Sequence, residues 1–428
     1  MLTRKFLRTK IKALTARARR LASIDGEGVG IRPQDRPFAP SRAHFRAANQ
    51  RLANIDRQVA QRLGRLEQTW QSAPKQRVLI EIALVEREID RARRAFGLFF
   101  EIFSQRGSAF APALSAHDVI AEDCYRAVRE AAPQIFSAPL LKPLCYMEHG
   151  FSPATMRRGV LLNRLLGEPN PFPIVRIPWD RDTPWQAVFL HEVSHNLQAD
   201  LGIWQENRQA VVRRTLRASG DPGLTRIYGL WHKEIFADLA AILLGGPAAA
   251  WGMATFLANP APRTMTFRPG GAHPTAYLRV HILAEMLRRL GFDQDASRLS
   301  RVWDDLYNPR RVNRLPARLL STSSRLIPEV VDEIAFQTRR NLAQRSLADI
   351  IVFDREHEQA ILSGARSLGR GQMPHDLAPR HLVSAASYAL AEGRIAPRLL
   401  ADRVIDRLNE LKNLAASMQR QTLSPIAA

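Results

Sequence analysis

Residues 188–202 read VFLHEVSHNLQADLG, a stretch apolar on nearly every side that nevertheless carries His191, Glu192 and His195. A helix with no polar face belongs in a core. On such a helix positions i and i+4 lie one above the other. His191 and His195 are therefore placed to hold one Zn²⁺, each nitrogen at about 2.0–2.1 Å. Glu192 points about 100° further around, within reach of a water beside the ion. The flanks agree with a helix: Thr183 is a good N-cap, Pro184 suits the first helical position, and Gly202 supplies a stop.

Two histidines at this spacing also occur as hydrogen-bonded core residues, so a metal site needs a third donor and partners behind it. The segment LWHKEIFADLAAILLGG, residues 230–246, offers both. Glu234 and Asp238 again stand at i and i+4 on a strongly apolar helix, where carboxylates are costly unless paired or metal-bound. Glu234 completes a His₂Glu set with the fourth position open for water. Asp238, one turn on, is placed to accept from the far nitrogen of a zinc histidine, His191 in the first instance. Ala237, Ala240 and Ala241 allow the two helices to approach closely. His232 lies about 200° around the helix from Glu234, so both cannot face one ion. Asp200 and Glu206 follow the first motif without a partner at i+4.

HEVSH followed by EIFAD resembles the gluzincin metallopeptidases, whose pattern is HExxH with a downstream ExxxD. The alanine before the aspartate is similar to the CAAX-prenyl-protease-like branch and to bacterial relatives of it. The resemblance covers about residues 172–282. It implies a zincin-like catalytic core in which His191, His195 and Glu234 bind zinc, Glu192 is the general base and Asp238 supports a ligand. The interval from His195 to Glu234 is longer than in thermolysin-like enzymes. The metzincin pattern is excluded, because Gln198 and Leu201 stand where it needs Gly and a third His.

Two neighbouring stretches bear on the site. PFPIVRIP, residues 171–178, alternates β-branched residues between prolines and predicts a short edge strand able to pair with an extended peptide. GGAHPTAYLRVHILAEMLRRLGF, residues 270–292, opens a helix at Pro274 with Tyr277, Val280, Leu283 and Leu287 as its stripe. The prenyl-protease-like branch has a similar His-Pro near its metal, so His273 is the expected donor to the developing oxyanion, with Arg279 or Tyr228 as alternatives.

Composition bounds the rest. At 428 residues the chain has room for two or three domains, and 46% hydrophobic residues exclude a wholly disordered chain. Cys124 and Cys145 supply neither a disulfide framework nor a C-x-x-C site. The net charge of +21 invites a nucleic-acid reading, yet residues 151–200 carry five basic and five acidic groups. The positive charge sits away from the metal motif, which disfavours nucleic acid as the partner. It gathers at the N-terminus instead, where MLTRKFLRTKIKALTARARR has eight basic and no acidic residues. That arm has no apolar core of the Sec type, so a cytoplasmic protein is expected. A basic helix of this kind suits an acidic partner or an anionic membrane surface.

Leu239–Ala258 carries no charge for twenty residues, enough to cross a bilayer. Gly245, Gly246 and Pro247 interrupt it as a helix stop and a new start, so two buried helices are expected. Elsewhere two long helical patterns run from about Ser41 to Arg106, divided at Ser72-Ala73-Pro74, and residues from about 296 are helical and broken at prolines 309, 316, 328, 374 and 379. The expected fold is mostly α (α+β): a small zincin-like catalytic core with a short sheet, flanked by helical domains. The expected segments are a basic arm and linker at 1–40, a helical domain at 41–150, the catalytic domain at 151–295 and a helical domain at 296–428. The expected function is zinc-dependent hydrolysis of a peptide or protein substrate. The competing readings are a zinc-containing scaffold of a larger assembly and a basic nucleic-acid binder.

Overall fold

The structure, a computed structural model, describes residues 2–19, 23–136, 140–148, 154–160, 169–178, 183, 188–309 and 314–422. The fold is mostly helical with one small sheet, as the sequence predicts. It divides into two compact units: residues 1–114, 144–147 and 156–174, and residues 115–143, 148–155 and 175–428.

The first unit begins with helix α1 (Leu2–Ala18), whose Leu7, Ile11, Leu14 and Ala18 are buried at helical spacing. The basic arm is thus a folded helix with a packed stripe. Helices α2 (Arg42–Thr69) and α3 (Lys75–Ser104) form the expected hairpin, turning at Ser72–Pro74. Their inward residues, such as Ile55, Val59 and Leu63 against Ile82, Val85 and Ile89, recur every three or four positions. At the end of α3 the wholly buried Arg106 donates to the Cys145 carbonyl at 2.6 Å. Both cysteines are buried and neither is in a disulfide.

Helix α4 (Ala111–Ala131) precedes strands β1 (Leu144–Glu148), β2 (Ala154–Met156) and β3 (Ile174–Pro178), which make one sheet in the order β1-β3-β2. The expected edge strand is therefore the central one. The prolines of PFPIVRIP bracket β3, and from Ile174 to Ile177 every residue keeps the N–H that two-sided pairing requires. Among the described residues the outer strands are β1 and β2.

The second unit is built around α5 (Val188–Asp200), α6 (Trp204–Ser219) and α7 (Pro222–Gly245). The described part of α5 starts at Val188. Thr183 precedes it outside any regular element, and Pro184, the expected first helical residue, lies outside the described residues. Helix α6 fills the long interval between the two motifs and ends at Gly220, φ +64°. Asp221 then caps α7 by accepting from the Gly223 and Leu224 N–H groups, with Pro222 at the first position. From Glu234 to Gly245 every residue of α7 is buried, and α5 packs along it. Gly245 marks how close they come, since a Cβ there would meet Leu190 at 2.6 Å.

Gly246, at φ +66° and ψ −155°, separates α7 from α8 (Pro247–Leu257). The uncharged stretch is thus two helices, the first buried and the second buried mainly over Pro247–Ala250, and among the described residues no helix is long and apolar enough to cross a membrane. The remaining elements are α9 (Ala261–Thr264), α10 (Ala276–Arg289), α11 (Asp293–Leu306), α12 (Ala317–Val331), α13 (Leu347–Ile350), α14 (Arg355–Gly369), α15 (Pro379–Ala391) and α16 (Pro397–Thr422). Pro316 and Pro379 stand at helix starts, as expected. Pro328 does not break its helix: it lies inside the last turn of α12, which then widens into a π-helical turn at Asp332–Phe336.

Candidate metal centre

Helices α5 and α7 bring three donors together. His191, His195 and Glu234 each present a ligand atom, and these atoms lie within 4.8 Å of one another. Glu234 Oε2 is 3.5 Å from His191 Nε2, and Oε1 is 3.3 Å from His195 Nε2. The three donors are thus close enough to converge on one ion, and two imidazoles with a carboxylate are a donor set that suits a small dication. The charge fits as well. With neutral imidazoles, Glu192, Glu234 and Asp238 against Arg279 leave two negative charges on a buried cluster.

Behind the donors lies a buried ion network. Asp238 Oδ1 is 2.8 Å from His191 Nδ1, which turns Nε2 toward Glu234. Asp238 also accepts from Arg279, Nε to Oδ2 at 2.6 Å and Nη2 to Oδ1 at 2.8 Å. Arg279 Nη2 lies 3.2 and 3.3 Å from the two ring nitrogens of His191, so the guanidinium rests against the ring face. Burial by itself depresses an imidazolium, but the Asp238 charge and the hydrogen bonds to Asp238 and Glu234 together outweigh it and raise His191 to about 9. Burial pushes the Glu234 carboxyl upward, and hydrogen bonds and charge from His191 and His195 overcome that and hold it well below the carboxylate range. Asp238 is likewise held low: Arg279 and His191 overcome its burial.

Glu192 is buried on the same helix, and Thr155 of β2 sits against it. The Thr155 hydroxyl lies 2.9 Å from Glu192 Oε2 and 2.9 Å from the Glu192 carbonyl, sharing one hydrogen between them. His273 stands two residues before the Thr275 cap of α10. Its Nε2 is 3.5 Å from Glu234 Oε2, and its side chain is 70% exposed against 11% for Glu234, so it marks the solvent-facing side of the cluster.

The competing donors are engaged elsewhere. His232 Nδ1 faces the Gly229 carbonyl at 2.9 Å, and burial lowers its pKa to about 4. Glu206 accepts from the backbone N–H groups of Arg340 and Asn341. Asp200 accepts from the Tyr125 hydroxyl at 2.6 Å. Of the alternative oxyanion donors, Arg279 is committed to Asp238, while Tyr228 is fully buried with a hydroxyl that meets no partner among the described residues.

Thr155 escapes the sequence reading, and Arg279 enters it only as an alternative oxyanion donor and not as the partner of Asp238. Thr155 lies 36 or more positions upstream of the motif in an unremarkable Ala-Thr-Met, with no signal to mark it. Arg279 gave a faint one, a charge set directly against the apolar stripe of α10 between Leu278 and Val280. Comparison with family models, curated proteins and solved structures finds no match to this chain.

Proposed function

We propose that the chain is a zinc metallopeptidase, with His191, His195 and Glu234 as the metal ligands. The observation that carries this reading is that His191, His195 and Glu234 present three ligand atoms within 4.8 Å of one another, the donor types of a His₂Glu zinc site. Bound there, Zn²⁺ would supply Lewis acidity, bringing the pKa of water near 7 and polarising a carbonyl.

The other steps belong to the protein. Glu192 accepts the proton of the attacking water and returns it to the leaving amine. The Thr155 hydroxyl holds Glu192 Oε2 in place for that exchange. Asp238 accepts from His191 Nδ1 and fixes the tautomer, while Arg279 anchors Asp238. His273, on the exposed side, donates to the carbonyl oxygen as it gains charge. An extended peptide pairs with the side of β2 that has no strand beside it among the described residues, next to the Thr155 that touches Glu192. We further propose that α1, with Leu2 and Phe6 exposed among Arg4, Lys5 and Arg8, meets an acidic partner or an anionic membrane surface.

Elemental analysis of purified protein tests the ligand set: close to one zinc per chain is expected, with most of it lost in His195→Ala and Glu234→Ala. Glu192→Gln should keep its zinc and lose about 10²–10⁴-fold of peptide hydrolysis. Equal turnover in wild type and Glu192→Gln would replace the peptidase with a structural metal clip on a scaffold.

A further inference from the structure

The outer face of the α6–α7 hairpin is cationic throughout. Residues 204–233 hold Arg208, Arg213, Arg214, Arg217, Arg226 and Lys233 against only two acids, Glu206 and Asp221. Both acids are engaged: Glu206 accepts from the Arg340 and Asn341 N–H groups, and Asp221 caps α7 and pairs with Arg318. Arg214 turns inward to Glu329 and Asp332 of α12. Arg208, Arg213, Arg217 and Arg226 are exposed and form no ion pair among the described residues. Arg62, Arg288 and Arg394, exposed as they are, each have a glutamate beside them. Between the cations the face is apolar. Arg208, Val212 and Leu216 follow one another at i, i+4 and i+8 on α6, and Arg226, Leu230 and Lys233 line up on α7. A Cβ at Gly229 would meet Val212 at 2.8 Å, so the two rows run side by side. Leu216 is 44% exposed, and Val212 and Leu230 are half-buried.

We infer that this face lies against an anionic membrane surface, its arginines on lipid phosphates and Leu216 at the edge of the acyl chains. A guanidinium meets phosphate through a planar fork of donors. Basic residues held at an anionic leaflet add their attractions, and an exposed apolar ridge adds the hydrophobic part. The arginine stems lie along the apolar rows while their heads stay at headgroup level. The apolar centre favours lipid over a polyanion such as nucleic acid, whose phosphates give Leu216 nothing to meet. None of these side chains belongs to the metal cluster, so the face binds lipid whether or not the site hydrolyses peptides.

Co-sedimentation of the full chain with phosphatidylglycerol-containing vesicles, against phosphatidylcholine vesicles, at about 0.15 M salt tests this. Binding to the anionic vesicles alone is expected. Arg213→Ser/Arg217→Ser/Arg226→Ser, with α1 unaltered, should weaken it about 10–100-fold, up to about fivefold for each cation near the surface. Arg91→Ser/Arg93→Ser/Arg94→Ser removes the same charge from exposed positions of α3 and should weaken it far less. Leu216→Ser should weaken it several-fold, and circular dichroism checks that every variant is folded. Equal affinity for the two vesicle types, binding to neither, or equal losses in the two triple variants overturns the inference. So does tighter binding of a DNA duplex or polyglutamate that Leu216→Ser leaves unchanged, which assigns the face to a polyanion.

Discussion

Arg279 grips Asp238 at both ends, Nε to Oδ2 at 2.6 Å and Nη2 to Oδ1 at 2.8 Å, and Asp238 in turn holds His191 Nδ1 at 2.8 Å. The three groups are buried, so each depends on the others for its charge. Removing one member of such a pair costs about 3–5 kcal/mol, because the remaining charge is stranded. Arg279→Ala is expected to lower the unfolding midpoint strongly. Asp238→Asn keeps the shape but loosens His191, and its metal affinity should fall roughly 10–100-fold. Denaturation curves and a chelator competition measure the two effects. Wild-type metal affinity in a folded Asp238→Asn would leave the network a purely structural role.

Thr155→Val removes the hydroxyl that faces Glu192 Oε2 and little else. A hydrogen bond to a charged group is worth about 1.5–3 kcal/mol, so kcat/KM on a peptide substrate should fall about 10–100-fold. Zinc content should not change, since Thr155 contributes no ligand. A loss of metal in this variant would place the effect on the fold of β2 instead.

Stability should respond to Glu358 in a defined direction. Its carboxyl titrates near 7 when folded and near 4.5 in the unfolded chain. Between those values the folded state binds the extra proton, so this group's contribution to stability is full below pH 4.5 and is lost as pH rises through 7. Glu358→Gln lacks the titration. Relative to wild type, the variant should gain stability on going from pH 5 to pH 8, as read by urea denaturation. A difference independent of pH would show that Glu358 does not titrate in this range.

Gly246 carries the chain from α7 to α8 at φ +66°, and a Cβ there would lie 2.1 Å from the Phe353 ring. Gly246→Ala adds overpacking, about 1–3 kcal/mol, to the cost of the left-handed backbone. Gly270→Ala shares a positive φ, +75°, but meets open space. Thermal melts should therefore rank Gly246→Ala well below Gly270→Ala. Equal losses would remove the Phe353 contact from the account.

Helical periodicity is local, and what depends on it alone was legible in the sequence. His191 with His195, and Glu234 with Asp238, share a helix face wherever those helices go, because 3.6 residues per turn align i with i+4. Gly246-Pro247 divides an apolar run into two helices by backbone preference, without reference to the rest of the chain. The α2–α3 hairpin follows from the same rule.

The remaining features depend on how elements meet, and adjacent residues carry no record of that. Alternation in PFPIVRIP specifies a strand but not its neighbours, so only the assembled sheet makes β3 central and leaves β2 outermost. Pro328 reads as a break, yet it is accommodated in the last turn of α12. Thr155 reaches Glu192, and Arg279 reaches Asp238, across separations of 37 and 41 residues. Spacing along the chain names the donors of the metal cluster. Long-range packing of β2, α7 and α10 around α5 decides which groups hold those donors in place.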